Sequence, residues 1–232
     1  MDKRIIAIGG GEIKNKTTLE IDRYVANLAK EKAGERRANA LFIGTASHDS
    51  MPYFNSFRKT YTSVFDIKAE VALIVYGEMD MERIKGKIEN ADCIYIGGGD
   101  TVYMLEKWRE VGMDTLLIEA YEKGTIICGL SAGAICWFKD MYTDYQIMRG
   151  ESSDYVLKKG LGILDGTACP HFNEREKDFT LNMIKHGIPY AYAIENDSAI
   201  EFVNGKFIKS ISSGGKAYLL TNENGEITKK EI

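Results

Sequence analysis

The sequence predicts an α/β fold: a doubly wound, mostly parallel sheet with helices on both faces and antiparallel hairpin strands near the C-terminal end. Short β-branched runs alternate with longer stretches of helical period from residue 4 to residue 129. The runs are apolar on both faces, which is typical of parallel strands covered by helices on each side. Two Asn-Gly pairs, Asn204-Gly205 and Asn224-Gly225, indicate hairpin turns.

The first elements are a strand in "RIIAI" (4–8) and a helix whose apolar residues, from Leu19 to Leu28, fall on roughly one face. The alternation continues with a strand in "ALFIGTA" (40–46), a helix over 51–65, a strand in "VALIVYG" (71–77), a helix over 79–90, a strand in "CIYIGGG" (93–99), two helical segments across 101–123 and a strand in "TIICG" (125–129). Right-handed crossovers between parallel strands then give one layered sheet.

The C-terminal residues follow a different pattern, because polar and apolar residues alternate with a period of two after about residue 192. We expect antiparallel strands added to the edge of the sheet, since this segment is too short for a separate domain. Residues 1–232 are therefore expected to form a single domain. The polar segment from 139 to 160 is long enough to predict a loop that covers a site.

Charge and composition argue against several classes of protein. The chain has 30 Lys+Arg against 34 Asp+Glu, a formal charge of -4, and no basic stripe that would neutralise nucleic-acid phosphates. No apolar run approaches the roughly 20 residues of a membrane span, and "MDKRIIAIGGG" does not resemble a signal peptide. We expect a soluble, cytoplasmic protein without nucleic-acid or membrane partners. A homodimer is compatible with the sequence, which does not fix the oligomeric state.

The cysteines and histidines do not predict a metal site. None of the cysteines has CxxC spacing, and three lie in apolar runs, so we expect reduced, buried side chains. The four are Cys93, Cys128, Cys136 and Cys169. The histidines, His48, His171 and His186, are not spaced to complete a zinc site.

Ser131 lies in the segment Gly129-Leu130-Ser131-Ala132-Gly133, which has the G-x-S-x-G form directly after a predicted buried strand and before a short helix. A strand-to-helix turn this tight holds the serine in a strained conformation at the carboxyl edge of the sheet, and its small neighbours allow the close approach. The alternative is a glycine-rich turn in which serine caps the helix.

A serine nucleophile needs a base, and His171 is the best candidate. It follows an apolar run and Pro170, and a helix comes after it. His48 also follows a strand, and a lone histidine is often only a solvated loop residue. His186 lies near the end of a helix, where a positive charge is favourable.

Two carboxylates are candidates for orienting the histidine. Glu195 lies at the end of the first strand after the His171 helix, and Asp144 lies in the predicted covering loop. We prefer Glu195, because a strand end is a more rigid platform than a loop. Asp197 is close enough in sequence to be confused with it.

Two glycine runs follow predicted strands. Gly97-Gly98-Gly99 opens a helix, either as a tight connection capped by Asp100 or Thr101 or as a source of an oxyanion-hole amide. Gly9-Gly10-Gly11 suggests a dinucleotide fingerprint but does not complete it, because Lys14 stands where glycine or alanine is required and the second strand carries no acidic residue for a ribose.

Together these motifs resemble the aspartyl dipeptidase and cyanophycinase group of serine peptidases, peptidase family S51, which is similar in fold to class I glutamine amidotransferases. The matching segments are "IYIGGGDT" (94–101), "GLSAGAICWF" (129–138), "PHF" followed by Arg175, and "AIENDSAI" (193–200). They occur in the family's order, and the resemblance covers nearly the whole chain. One departure is Asp100, which replaces the asparagine that usually follows the glycine triplet.

The resemblance implies Ser131 as nucleophile and His171 as general base, with an acidic third member and an oxyanion hole formed by the amides of Gly99 and Ala132. Family substrates are peptides with aspartate on the acyl side of the scissile bond, and Arg175 is the cation assigned to that side chain. The alternative for Arg175 is a surface arginine paired with a neighbouring glutamate. No cofactor is implied.

We therefore predict a serine peptidase that acts on small peptides. Two other functions remain open. One is a non-catalytic protein that binds a small molecule or nucleotide, with the glycine runs as anion sites. The other is a hydrolase of non-peptide esters or amides.

Overall fold

The computed structural model describes residues 2–77 and 79–232, which form two β-sheets with packed helices. The strands are β1 (Arg4–Ile8), β2 (Asn39–Ile43), β3 (Lys68–Ala72), β4 (Cys93–Ile96), β5 (Ile126–Leu130), β6 (Phe138–Thr143), β7 (Val156–Lys159), β8 (Leu164–Cys169), β9 (Tyr190–Ile194), β10 (Ser198–Val203), β11 (Lys206–Ser212), β12 (Ala217–Glu223) and β13 (Glu226–Glu231). The α-helices are α1 (Leu19–Ala33), α2 (Met51–Ser63), α3 (Met81–Glu89), α4 (Thr101–Val111), α5 (Met113–Glu122), α6 (Ala132–Ile135), α7 (Tyr145–Met148) and α8 (Phe172–Lys185).

The first sheet has the strand order β11-β10-β1-β5-β4-β2-β3. Strands β1 to β5 pair in parallel, and β10 and β11 extend the sheet in antiparallel fashion beside β1. Along β1, Ile5 and Ala7 face one apolar cluster, with α3, α4 and α5, whereas Ile6 and Ile8 face the other, with α1 and α2. The predicted α/β fold with helices on both faces is confirmed.

The strand predicted at 71–77 begins and ends earlier than expected. It pairs with β2 from Lys68 to Ala72 and stops where β2 stops. After that, the backbone amides of Ile74 and Val75 donate hydrogen bonds to the Asp49 carboxylate, at 2.5 and 2.7 Å. A side chain thus takes the place of a neighbouring strand, so this apolar run leaves the sheet.

A second sheet, in the order β13-β12-β9-β8-β6-β7, corrects two expectations. The last hairpin, β12-β13, pairs with β9 in this sheet and does not join the edge of the first. The segment 139–160 is no simple loop, because β6 and β7 pair in antiparallel register with α7 between them. An alternating sequence predicts that a strand forms but not which strand it pairs with. Neither pairing could therefore be predicted from the local sequence.

The two sheets share a core. Ile94 and Ile127 of the first sheet belong to the same buried apolar cluster as Phe138, Met141 and Leu164 of the second. All four cysteines are buried and unpaired. Within residues 2–77 and 79–232, every helix is too short or too polar to cross a bilayer.

Candidate active site

Ser131 directly follows β5 and has the strained backbone that a nucleophile elbow requires, with φ 51° and ψ -106°. Its glycine neighbours leave no space for side chains. A Cβ atom on Gly129 would overlap the carbonyl oxygen of Gly133, and one on Gly133 would overlap that of Ile96. The Ser131 side chain makes no capping hydrogen bond to α6, which removes the alternative of a simple helix cap.

The structure brings Ser131 and His171 together. Ser131 Oγ lies 2.8 Å from His171 Nε2, a hydrogen-bond distance. His171 follows β8, precedes α8 and has a left-handed backbone, with φ 50°. Ser131 lies at the end of the first sheet and His171 at the end of the second, so the site forms where the carboxyl ends of strands from two sheets meet.

The end of β1 anchors each segment of the site through consecutive carbonyl groups. The backbone hydrogen bonds are Ser131 N to Ile8 O at 2.8 Å, His171 N to Gly9 O at 3.0 Å and Asp197 N to Gly10 O at 3.1 Å. The first glycine run thus supplies two of these three acceptor carbonyl groups. Side chains at Gly9 and Gly10 would overlap the crossing 194–196 segment, so the run is glycine because three chain segments meet there.

Asn196 contacts the second nitrogen of the imidazole, where Glu195 was expected. His171 Nδ1 lies 2.6 Å from Asn196 Oδ1. The Glu195 carboxylate instead accepts hydrogen bonds from the Lys216 amide at 2.9 Å and the Tyr218 hydroxyl at 3.3 Å. The prediction that Glu195 contacts His171 is wrong, because β9 ends at Ile194 and successive residues point in different directions there.

Among the described residues, neither of the other two acidic candidates makes a hydrogen bond to His171. Asp144 Oδ2 accepts a hydrogen bond from Arg175 Nη2 at 2.8 Å. Asp197 lies beside Gly11, with its buried Oδ1 unpartnered among the described residues. The sequence signal that could have identified Asn196 is its place two residues after the end of β9, in the segment "IENDSAI".

The surroundings of His171 favour its neutral form. Burial lowers the pKa of the imidazole below 6.5, and the positive charge of Arg175 lowers it further. The hydrogen bond to Asn196 and the charges of Glu174 and Asp144 oppose these effects only in part. A neutral imidazole can accept a proton from Ser131, as a general base must.

A cavity of about 580 Å³ opens beside Ser131 and His171. Its walls combine apolar and charged side chains with the second glycine run. The other lining residues are Gly11, Glu12, Ile13, Lys14, Pro52, Tyr53, Ser56, Gly98, Gly99, Leu130, Asp144 and Met148. Over the described ranges, 2–77 and 79–232, the structure holds no group of three or more His, Cys, Asp or Glu side chains arranged to bind a metal ion.

Residues 5–210 match the model of peptidase family S51. The chain belongs to this family. It is 31% identical to the uncharacterized peptidase YgaJ of Bacillus subtilis (strain 168) over 231 residues, which cover 97% of this chain and 95% of that protein. It is 28% identical to the uncharacterized peptidase Lmo0363 of Listeria monocytogenes over 195 residues, which cover 72% of this chain and 95% of that protein.

Two solved structures share the fold of this S51 chain. One is a protein provisionally assigned as a peptidase E from Listeria monocytogenes EGD-e, with a TM-score of 0.65 at 22% identity, covering 91% of this chain and 99% of that one. The other is a peptidase from an acI-B1 Actinobacterium, with a TM-score of 0.65 at 16% identity, covering 100% of this chain and 94% of that one.

Arg175 lies behind the cavity wall of this S51 protein. Its side chain is 4% exposed, is paired with Asp144, and lies over the Tyr155 ring at 4.7 Å. Arg175 is therefore not a surface arginine, as the alternative hypothesis had predicted. It is also not among the residues that line the cavity in this conformation. Phe172, Arg175 and Phe179 share the buried face of α8, and their spacing at i, i+3 and i+7 was the signal for burial.

The residues expected to form an oxyanion hole lie next to the elbow. Gly99 lines the cavity with Ser131, and a Cβ atom on Gly98 would lie 3.5 Å from the Ser131 Cβ. Ala132 follows Ser131 and is 1% exposed. Among the described residues, no recorded hydrogen bond uses the amides of Gly99 or Ala132 as donors. Their role as oxyanion donors stays a prediction.

Asp100, the departure from the family's glycine-triplet pattern, has two partners. Its carboxylate caps α4 by accepting a hydrogen bond from the Tyr103 amide at 2.9 Å. Its second oxygen accepts one from Arg149 Nε at 2.6 Å. Arg149 directly follows α7, whose Met148 lines the cavity. An aspartate here therefore ties the cavity wall to the start of α4 by a charged pair.

Proposed function

We propose that this S51 protein is a serine peptidase that hydrolyses small peptides, with Ser131 as nucleophile and His171 as general base. The observation that carries the proposal is the 2.8 Å contact between Ser131 Oγ and His171 Nε2 at a strained elbow beside a cavity. Membership of a peptidase family supports the same chemistry. A serine hydroxyl is a weak nucleophile unless a neighbouring base takes its proton.

In the proposed reaction, Ser131 Oγ attacks the peptide carbonyl carbon while His171 Nε2 takes the hydroxyl proton. The amides of Gly99 and Ala132 would hydrogen-bond the oxyanion, and loss of one such donor typically costs about 3 kcal/mol in barrier height. Protonated His171 then gives its proton to the leaving amine, and the C–N bond breaks. Water, activated by the same imidazole, releases the acid from the acyl-enzyme.

A preference for aspartate on the acyl side is the finer part of the proposal, and it depends on Arg175. The guanidinium has two buried nitrogens, Nε and Nη1, without a hydrogen-bond partner among the described residues. Its third nitrogen, Nη2, is taken by Asp144, which lines the cavity. A substrate carboxylate would have to displace Asp144 to reach Arg175. We therefore expect the acidic preference to require movement of the segment around Asp144.

A fluorophosphonate probe tests the nucleophile directly. We expect labelling of the wild-type protein at Ser131 and none in Ser131→Ala. The matched control is Ser56→Ala, because Ser56 lines the same cavity but its hydroxyl donates to the Pro52 carbonyl oxygen. Labelling that survives in Ser131→Ala would rule out the assigned nucleophile. A wild-type protein that is neither labelled nor able to turn over any acyl substrate would favour the binding-protein alternative.

A panel of dipeptides and matched esters tests the substrate class. We expect Asp-X dipeptides to be turned over faster than Asn-X dipeptides of the same shape, and Arg175→Gln to reduce this ratio. Because Arg175 is buried, thermal unfolding must show that the variant folds. Equal turnover of Asp-X and Asn-X would contradict the acidic preference, and turnover of esters alone would contradict peptidase activity.

A further inference from the structure

The group that orients His171 is the side-chain amide of Asn196, and the two ends of an amide have opposite hydrogen-bonding roles. The Asn196 side chain carries an acceptor oxygen and a donor NH₂ group, which exchange places when the amide rotates by half a turn. A carboxylate has no such ambiguity, because both of its oxygens accept. An asparagine in this position therefore needs a further group that selects one orientation.

The orientation decides which nitrogen of His171 carries the proton. With Oδ1 facing the ring, as in the structure, Nδ1–H donates to Asn196 and Nε2 is free to accept the Ser131 proton. With the NH₂ group facing the ring, Nδ1 would become the acceptor and Nε2 would carry the proton. The imidazole could then no longer act as a base toward Ser131.

Glu174 contacts the NH₂ end of the Asn196 amide. Its Oε1 accepts a hydrogen bond from Asn196 Nδ2 at 2.6 Å. A carboxylate cannot donate, so a rotated amide would bring two acceptors together at this contact. The backbone amide of Asn196 is also held, by Asn173 Oδ1 at 2.9 Å. The first turn of α8 thus fixes both the main chain and the side chain of Asn196.

We propose that Glu174 is a positioning residue that sets the Asn196 amide and, through it, the tautomer of His171. The inference rests on the peptidase function proposed above. Among the described residues, Glu174 has no recorded ion pair and Asn196 is its one recorded side-chain partner, whereas Glu176 on the same helix pairs with Lys229. A role in surface ion pairing therefore fits Glu176 and does not fit Glu174.

Three single variants separate the hydrogen bond from the charge. Glu174→Ala should lower kcat roughly tenfold, the value of one charge-assisted hydrogen bond, with little change in KM. Glu174→Gln should retain most of kcat, because its carbonyl oxygen still accepts from Asn196. Glu176→Ala, the matched control, should leave kcat unchanged. Equal losses in Glu174→Ala and Glu176→Ala would overturn the proposal.

A double variant gives the sharper kinetic result. Asn196→Asp supplies a carboxylate that needs no orientation, and its charge would repel Glu174. In that background, Glu174→Ala should leave kcat unchanged or raise it, whereas it lowers kcat in the wild type. A similar tenfold loss in both backgrounds would show that Glu174 acts through something other than the Asn196 amide, and would overturn the proposal.

The tautomer can be observed without any substrate. The chain has three histidines, so ¹⁵N–¹H correlation spectra assigned with His48→Gln and His186→Gln isolate the signals of His171. We expect the Nδ1–H tautomer in the wild type and an added Nε2–H population in Glu174→Ala. An unchanged tautomer in Glu174→Ala would overturn the proposal. This measurement can be made even if the protein cleaves no peptide. Failure of the proposed role of Glu174 can therefore be distinguished from failure of the proposed peptidase function.

Discussion

Gly10 lies against the contact between His171 and Asn196, and a Cβ atom built on it would overlap both Asn196 Oδ1 and His171 Nδ1. Neither neighbour can give way without breaking the 2.6 Å hydrogen bond that joins them. The middle residue of the first glycine run is therefore required for the imidazole to have its partner.

Gly10→Ala should lower kcat/KM by roughly 100-fold, because displacements of about 1 Å in a catalytic group cost that much. The matched control is Gly86→Ala in α3, where a Cβ atom would meet open space. It should leave kcat/KM unchanged. Steady-state kinetics of both variants test the prediction, and full activity in Gly10→Ala would contradict it.

The pH profile of kcat/KM should report the lowered pKa of His171. Burial and the charge of Arg175 shift the pKa of the imidazole below 6.5, so the base stays neutral into mildly acidic solution. Activity should fall only as the pH drops below that value, on a substrate that does not itself titrate in this range. Circular dichroism at each pH separates protonation from unfolding. A midpoint above 6.5 would contradict the prediction.

Asp22 should make the protein less stable as the pH rises. This carboxyl group is fully buried on α1, and burial raises its pKa from 3.8 to about 7, despite hydrogen bonds from Thr18 and Tyr61. Between pH 4 and pH 7 the folded state therefore holds a proton that the unfolded state has lost. The free energy of unfolding falls across this window, by up to about 4 kcal/mol, and is level above it.

Asp22→Asn should remove this dependence. Urea denaturation should show the variant to be more stable than the wild type at pH 8 and close to it at pH 4. The matched control is Glu20→Gln, an exposed carboxylate on the same helix that pairs with Arg23. It should leave the slope of stability against pH unchanged. A variant at Asp22 that loses stability equally at both pH values would refute the assignment.

Local sequence patterns predicted most of the fold, because hydrophobic periodicity and glycine turns are properties of neighbouring residues. The strand-helix alternation up to residue 129 was confirmed, and so was the α/β class. The exceptions have tertiary causes. Asp49 binds the backbone beyond β3 and ends that strand early, and the last hairpin pairs with β9, a choice that alternating sequence does not encode.

For the site, the sequence indicated which residues carry chemistry but not what each one contacts. It singled out Ser131 and His171, and the structure brings them within hydrogen-bond distance. It also favoured Glu195, whereas the residue beside the imidazole is its neighbour Asn196. Such a choice depends on the direction of one side chain at a strand end, which differs by a half-turn between adjacent residues.

By itself, then, the sequence determined the layered α/β architecture and the strained serine turn, because both follow from short-range sterics and hydrophobic period. Only the tertiary structure decided how the two sheets meet and which side chain orients His171. It also explains why the first glycine run is needed, since three distant segments cross at Gly9 and Gly10 and leave no space for side chains. Contacts between residues far apart in the chain leave no local pattern, and the chemistry of this site consists of such contacts.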